Sequence, residues 1–329
     1  MLLSIMRLAM LSYHREEDEP PEFRGKSLDM AGTFRNLMAQ CLTLADYTKP
    51  WPYLIEALMF HLHGDFSQTR EADVSIWVLV GVIARLAMRM GYHRDSKAFP
   101  NITPFQGEMR RRVWTLVRVC DLLFSFQVGL PSMLRTSDSD TEIPQNLYDD
   151  DLEEDCKALP APRPPNEPTP ISYLITKARL VYAFGRVTDH TTSLESGSYD
   201  KVMEIDAELR RARDMVPEHL MIRPMEESQL DPPNVIMSRY SVGLFEPRLR
   251  FYLTHLFFPG NEHIPQSPVR ASQTIHCSCA RESPLHLLPK NMHRLRHGAA
   301  ALPVPVTHRN WPHRSLAGSP KRSQLILFN

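Results

Sequence analysis

A run of carboxylates is the first feature of this chain whose residue types and spacing are suited to chemistry. Nine acidic residues lie between Arg135 and Asp155, with no basic residue among them. Within the run, Asp149, Asp150 and Glu153 form a DDxxE pattern. Paired carboxylates of this kind hold magnesium ions, which in turn bind a diphosphate.

A magnesium site needs more than the DDxxE pattern. Its carboxylates must lie on a helix wall that faces a cavity, and a second metal-binding motif must lie opposite. Pro144 precedes the run, a proline-rich stretch follows from Leu159 to Pro170, and no second motif occurs. We therefore expect a solvated loop whose acids pair with arginines. An all-helical magnesium-dependent enzyme that uses the acidic 149–155 loop is the alternative.

Three consecutive arginines form the second candidate. Arg110, Arg111 and Arg112 project about 100° apart around a helix, so they cannot form one phosphate-binding patch. Glu108 lies three and four residues before Arg111 and Arg112, the spacing of helical ion pairs. An intramolecular network with Asp121 and the loop acids is favoured over contact with DNA.

The third candidate is a group of metal-ligand residues near the C-terminal end. His276, Cys277, Cys279 and His286 supply nitrogen and sulfur ligands of the kind that zinc prefers, but they lack CxxC spacing and lie in a proline-rich tail. The nucleophile and nucleotide motifs GxSxG, GxGxxG and the P-loop do not occur. No catalytic residue, metal site or cofactor is predicted.

Composition limits the partners that the chain can attract. The 329 residues carry 38 basic and 38 acidic side chains, so no overall positive field draws the chain to nucleic acid or a membrane. No apolar run is long enough to span a bilayer. The chain has five cysteines, an odd number, and three of them lie far apart in the sequence. This pattern is typical of reduced thiols and not of a disulfide framework.

Apolar spacing predicts helix after helix and no strand. Gly64 is expected to stop the second helix, Gly91 to end the third, and Thr103–Pro104 to begin the fourth, which Gly129 and Pro131 end. The predicted helices are 28–45, 51–63, 73–90, 104–128, 170–189, 198–216 and 231–258, the last broken at Pro247. Residues 132–168 show no periodicity. The fold class is therefore all-α, an irregular multi-helix bundle with a long proline-rich, acidic wrapping loop.

Two regions are predicted along the chain. Residues 1–260 form the helical domain. Residues 261–329 are rich in proline, arginine and histidine, and they are expected to be disordered or an aberrant product such as translated intron.

An ordered set of residues within 28–255, strongest in 72–170, resembles the fungal-specific transcription factor domain, which is the middle homology region of zinc-cluster regulators. The predicted helix that contains Arg85 ends at Gly91, and His93 follows it. The next helix, the glycine that ends it and the acidic loop supply the other matches. These are Glu108, Arg110, Arg111, Arg112, Trp114, Asp121, Gly129, Pro131, Asp140 and Pro144.

The resemblance implies a regulatory domain of a nuclear transcription factor, not an enzyme. Its partners would be other transcription proteins or a homodimer partner, together with a small-molecule effector. In the family, zinc is held by a separate N-terminal cluster of six cysteines, and DNA is bound only through that cluster. Five dispersed cysteines cannot supply it. We therefore expect a fragment, a truncated gene model or a regulator without its DNA reader.

Overall fold

Helices form the regular structure of this chain in a computed structural model, which describes residues 1–16, 19–69, 73–193, 199–243 and 245. Within those residues the all-α class is confirmed and no strand occurs. The helices are α1 (Leu2–Glu16), α2 (Ser27–Leu44), α3 (Leu54–Phe66), α4 (Val74–Arg89), α5 (Pro104–Val128), α6 (Ser172–Thr192), α7 (Tyr199–Asp214) and α8 (Pro233–Gly243). None of these helices is both long and apolar enough to cross a membrane.

Helix α5 lies at the centre of the helical body, and its start is specified locally. The Thr103 hydroxyl accepts the Gln106 N–H at 3.2 Å, and the Gln106 side chain accepts the Thr103 N–H at 3.3 Å. This capping box satisfies two donors that a helix start leaves free, and Pro104 fits the first helical position. At the other end Gly129 adopts a left-handed conformation, with φ of 70°.

Both faces of α5 are apolar because helices pack on both of them. Trp114 and Val117 pack into a core shared with α3 and α4. Val119 and Leu122 pack against Ala178 and other residues of α6. A helix covered on most sides stays apolar all round, and its few charged residues must therefore find partners within the protein.

An ion pair joins the first three helices. Arg7 of α1 is 1% exposed, and its guanidinium lies 2.7 Å from the Asp65 carboxylate of α3. Arg35 of α2 binds the same carboxylate at 2.8 Å. The prediction that Gly64 stops α3 is wrong, because α3 continues to Phe66. A Cβ atom at Gly64 would lie 2.9 Å from Arg7 Nη1, so this glycine makes room for the buried arginine.

Two other predicted helix boundaries also shift. Helix α6 begins at Ser172 and not at Thr169–Pro170, and the Thr169 hydroxyl donates to Asn146 Oδ1 at 2.7 Å instead of capping the helix. Helix α8 begins at Pro233. Pro247, the predicted tail 261–329 and its histidine and cysteine residues lie outside the described residues.

Residues 129–170, here named the strap, join α5 to α6 with only two short 3-10 turns, Thr136–Asp138 and Asp149–Asp151. Asn146 joins the middle of the strap to its C-terminal end. Its side-chain amide donates to the carbonyl oxygens of Pro164 and Glu167, each at 3.0 Å. Its Oδ1 atom accepts the hydroxyls of Thr169 and Ser172.

The start of the strap is held by Asp121, which is 1% exposed. Its Oδ2 atom accepts the Ser132 hydroxyl at 2.6 Å and the N–H groups of Met133 and Leu134, each at 3.0 Å. Burial of Asp121 agrees with the expected network, but the predicted arginine partner is wrong, since Asp121 forms no salt bridge with any described residue. Backbone amides of the following turn satisfy the carboxylate instead.

Replacing Asp121 by asparagine should lower the free energy of unfolding by more than about 2 kcal/mol, because a neutral amide oxygen is a weaker acceptor than a carboxylate oxygen and the amide nitrogen adds a buried donor. Urea unfolding of Asp121→Asn and wild type measures the loss. Glu153→Gln, an exposed site in the strap, is the control and should change little. Equal and small effects of the two substitutions would show that Asp121 does not hold the strap.

Candidate functional site

The candidate site is the arginine cluster, defined as Arg110, Arg111 and Arg112 near the start of α5, together with the strap that lies over it. Arg111 and Asp95 are 4% and 6% exposed, and the guanidinium binds the carboxylate through two bonds of 2.9 Å. The Glu142 N–H donates to Asp95 at 3.2 Å, and the Glu142 carboxylate lies 3.3 Å from Arg111. One buried pair therefore joins α5, the turn after α4 and the strap.

The pKa of Asp95 reflects this environment. Burial raises it, but hydrogen bonds from Arg111 and from the N–H groups of Lys97 and Glu142 outweigh burial and hold the pKa at about 2. Asp95 is therefore an anion throughout the physiological pH range. It serves as a permanent partner for Arg111 and not as a proton donor.

Arg112 faces a different pair of acids. Glu108 is 0% exposed and accepts Arg112 Nε at 3.3 Å and the Gln145 N–H at 3.2 Å. Arg112 also binds Asp149 of the strap at 2.6 Å. Burial raises the pKa of Glu108, and the positive charge of Arg112 only partly offsets this effect. Of the two arginines expected for Glu108, Arg112 is the one that pairs with it.

Arg110 points away from Glu108 and Asp149, as the helical spacing predicted. It donates to the Met90 carbonyl oxygen at 2.9 Å and lies over the Tyr92 ring, 4.3 Å from its centre. The three arginines therefore hold three different parts of the chain, and together they do not present a patch to an external phosphate.

A second line of contacts fixes the strap to the end of α4. The Trp114 indole N–H donates to the Ser139 hydroxyl at 2.7 Å. Asp140 accepts the Asp95 N–H at 2.8 Å and Arg94 Nε at 3.0 Å. Since Trp114 is buried in the core, this part of the strap is held by the core as well as by charge.

A cleft of about 420 Å³ opens where the strap meets α6. The strap lines it with Pro144, Gln145, Asn146 and Pro162 to Pro165, α6 lines it with Ser172, Ile175, Thr176 and Arg179, and Pro217 completes the wall. The DDxxE carboxylates Asp149, Asp150 and Glu153 do not line the cleft. Nor does any group of acids, histidines or cysteines in the described part of the chain have a metal-binding arrangement.

Comparison with known protein families shows which family this chain belongs to. The model of the fungal-specific transcription factor domain matches residues 2–211. The chain belongs to this family. No solved structure shows a significant match to the chain.

Several curated proteins are similar to this fungal-specific transcription factor domain. A Zn(2)-C6 fungal-type transcription factor, pigI of Monascus ruber, is 44% identical over 224 residues, 68% of this chain and 28% of that protein. Transcription factor phm2 of a Pyrenochaetopsis species is 40% identical over 65% of this chain and 29% of its own length. The equisetin cluster transcription factor eqxF of Fusarium heterosporum is 34% identical over 76% of this chain and 35% of its own length. The chain spans about a third of these relatives.

The residues that carried the resemblance fall into three groups in this domain. Glu108, the arginine cluster, Trp114, Asp121, Asp140 and Pro144 lie at or near the junction of α5 with the strap. Gly91 and Gly129 adopt left-handed conformations that end helices. Arg85 is exposed and, among the described residues, bonds only to Gly81 of its own helix. His93 lies near Trp114, with ring centres 6.2 Å apart, and Pro131 is exposed.

Asp95 and Asn146 are the central residues that the sequence pattern left out of the predicted site. Asp95 directly precedes Ser96 and accepts the Lys97 N–H at 3.1 Å, which is the local geometry of a capping aspartate. That local signal was available in the sequence. Asp95 and Arg111 are sixteen residues apart and do not share a helix, so the sequence carried no signal for their pairing.

The Asp95–Arg111 pair should make stability depend on pH. Because the folded pKa of about 2 lies below the ordinary value of 3.8, the carboxylate stabilises the fold fully above about pH 4, and this stabilisation is lost as the pH falls toward 2. Asp95→Asn should cost about 3 kcal/mol at pH 6, since it leaves a buried guanidinium poorly paired. The cost should shrink steadily toward pH 2.5.

Urea unfolding of wild type and Asp95→Asn between pH 6 and pH 2.5 measures this difference. Asp150→Asn, at an exposed position of the acidic run, is the matched control and should show little difference at any pH. A cost of Asp95→Asn that stayed constant across the range would contradict the assignment.

Proposed function

We propose that this chain is the regulatory domain of a nuclear transcription factor, and that it acts by contact with other transcription proteins or a homodimer partner and by response to a small-molecule effector. Family membership supports the general role. The observation that carries the mechanism is the internal pairing of the arginine cluster. Because Arg111 and Arg112 bind Asp95, Glu108 and Asp149, they are committed to holding the strap and not to binding phosphate.

The alternative of a magnesium-dependent enzyme needs the acidic run to line a cavity. Asp149 instead pairs with Arg112, and Asp151 pairs with Arg163 at 3.0 Å. Glu153 is exposed. The carboxylates therefore have the positions expected of a loop that is fastened by arginines, and we propose that the chain has no catalytic activity.

Transcriptional regulation is tested by tethering the full chain to a heterologous DNA-binding domain and measuring a reporter in a fungal host. The fusion should shift reporter output away from that of the DNA-binding domain alone. Asp121→Asn, which loosens the strap, should remove much of the shift at equal protein abundance, whereas Glu153→Gln should keep it. A fusion that behaves like the DNA-binding domain alone would contradict the proposal.

We further propose that the chain itself holds no zinc and reads no DNA sequence, since binding would require the six-cysteine cluster that the family carries separately. Elemental analysis of the purified chain should find far less than one zinc ion per chain, before and after dialysis against zinc chloride. A blank dialysate is the control. Two stoichiometric zinc ions would overturn this proposal and would direct attention to Cys277 and Cys279.

A further inference from the structure

The cleft between the strap and α6 carries an uncompensated positive charge. Two guanidinium groups line it, and no carboxylate does. Arg163 lies 3.0 Å from Asp151 and 3.8 Å from Glu167, so its charge is balanced. Arg179 forms no salt bridge or hydrogen bond with any described residue. It is also only partly exposed, which strengthens its attraction for an anion relative to a fully solvated arginine.

A hydrogen-bond acceptor without a partner lies in the wall of the same cleft. The Oε1 atom of Gln145 is buried and has no partner among the described residues. The backbone of Gln145 is held in place, because its N–H donates to the fully buried Glu108. A buried acceptor without a donor is costly, and a ligand N–H or O–H group would satisfy it once the Gln145 side chain turns toward the cleft. The cleft therefore offers an acceptor whose backbone is already anchored.

The rest of the lining suits an apolar body. Pro144 and Ile175 are buried, and the prolines of the strap complete the wall. A volume of about 420 Å³ lies within the range of small-molecule sites, which are concave, mostly apolar and carry a few polar groups that fix orientation.

We propose that this cleft binds a small organic anion with an apolar body and one hydrogen-bond donor. Arg179 binds the anionic group, Gln145 accepts the donor, and Ile175 with the strap prolines covers the body. The inference rests on the proposed function in one respect, since the bound anion would be the effector of the regulatory domain. Because the strap forms one wall, binding there would tighten the contact between strap and α6.

Two fluorescent probes that differ only by a sulfonate group test the proposal. 8-Anilinonaphthalene-1-sulfonate has an anionic group, an N–H donor and an apolar body, whereas N-phenyl-1-naphthylamine lacks the sulfonate. Titration of the full chain with each probe gives two dissociation constants. Arg179→Gln should weaken binding of the sulfonate about tenfold, as expected for loss of a charged hydrogen bond, and should change binding of the neutral probe by less than about twofold.

Arg186→Gln, seven residues further along α6 and outside the cleft, is the matched control and should leave both probes unaffected. Gln145→Leu should weaken both probes, because both have the N–H donor. Unchanged thermal midpoints show that each variant is folded. The proposal is overturned if Arg179→Gln leaves sulfonate binding unchanged, if it weakens both probes equally, or if Arg186→Gln has the same effect. Probe binding decides this inference and the reporter decides the proposed function, so either can fail alone.

Discussion

The buried Arg111–Asp95 pair is the interaction on which the arrangement of α5, the turn after α4 and the strap depends. Each partner alone would be a costly buried charge, so each is tolerable only in the presence of the other. The bidentate geometry fixes direction as well as distance. Asp95 further accepts the N–H groups of Lys97 and Glu142, so the same carboxylate sets the positions of two backbone segments. Its role is therefore to specify one arrangement of the strap.

The same logic recurs where other charged residues enter the helical body. Asp65 is shared by Arg7 and Arg35, which joins α1, α2 and α3. Glu108 is shared by Arg112 and the backbone of Gln145. Asp65 thus meets donors from two other helices, and Glu108 meets one donor from its own helix and one from the strap. A bundle whose helices are joined by long irregular segments gains in this way directional contacts that apolar packing alone does not supply.

The features that sequence predicted well are those determined within one or two helical turns. The capping box of Thr103 and Gln106, the left-handed Gly129 and the divergence of three consecutive arginines all follow from local geometry. The features it predicted poorly depend on segments distant along the chain. Gly64 was predicted to be a helix stop because the presence of Arg7 beside it cannot be inferred from spacing. Asp121 was assigned an arginine partner because side-chain charge is visible in a sequence, whereas the free backbone N–H groups of a turn are not.

The cleft depends on these same long-range contacts. Glu108 holds the backbone of Gln145, and Asn146, the next residue, binds the carbonyl oxygens of Pro164 and Glu167. The middle of the strap is therefore fixed to α5 by the Glu108 carboxylate, and its C-terminal end is folded back onto this middle part by the Asn146 amide. These two constraints set the position of the strap relative to α6, and the cleft is the space that remains between them. A change at Glu108 or Arg112 would therefore alter the shape of the cleft without touching its lining, which makes the pairing of the arginine cluster a determinant of what the cleft can bind.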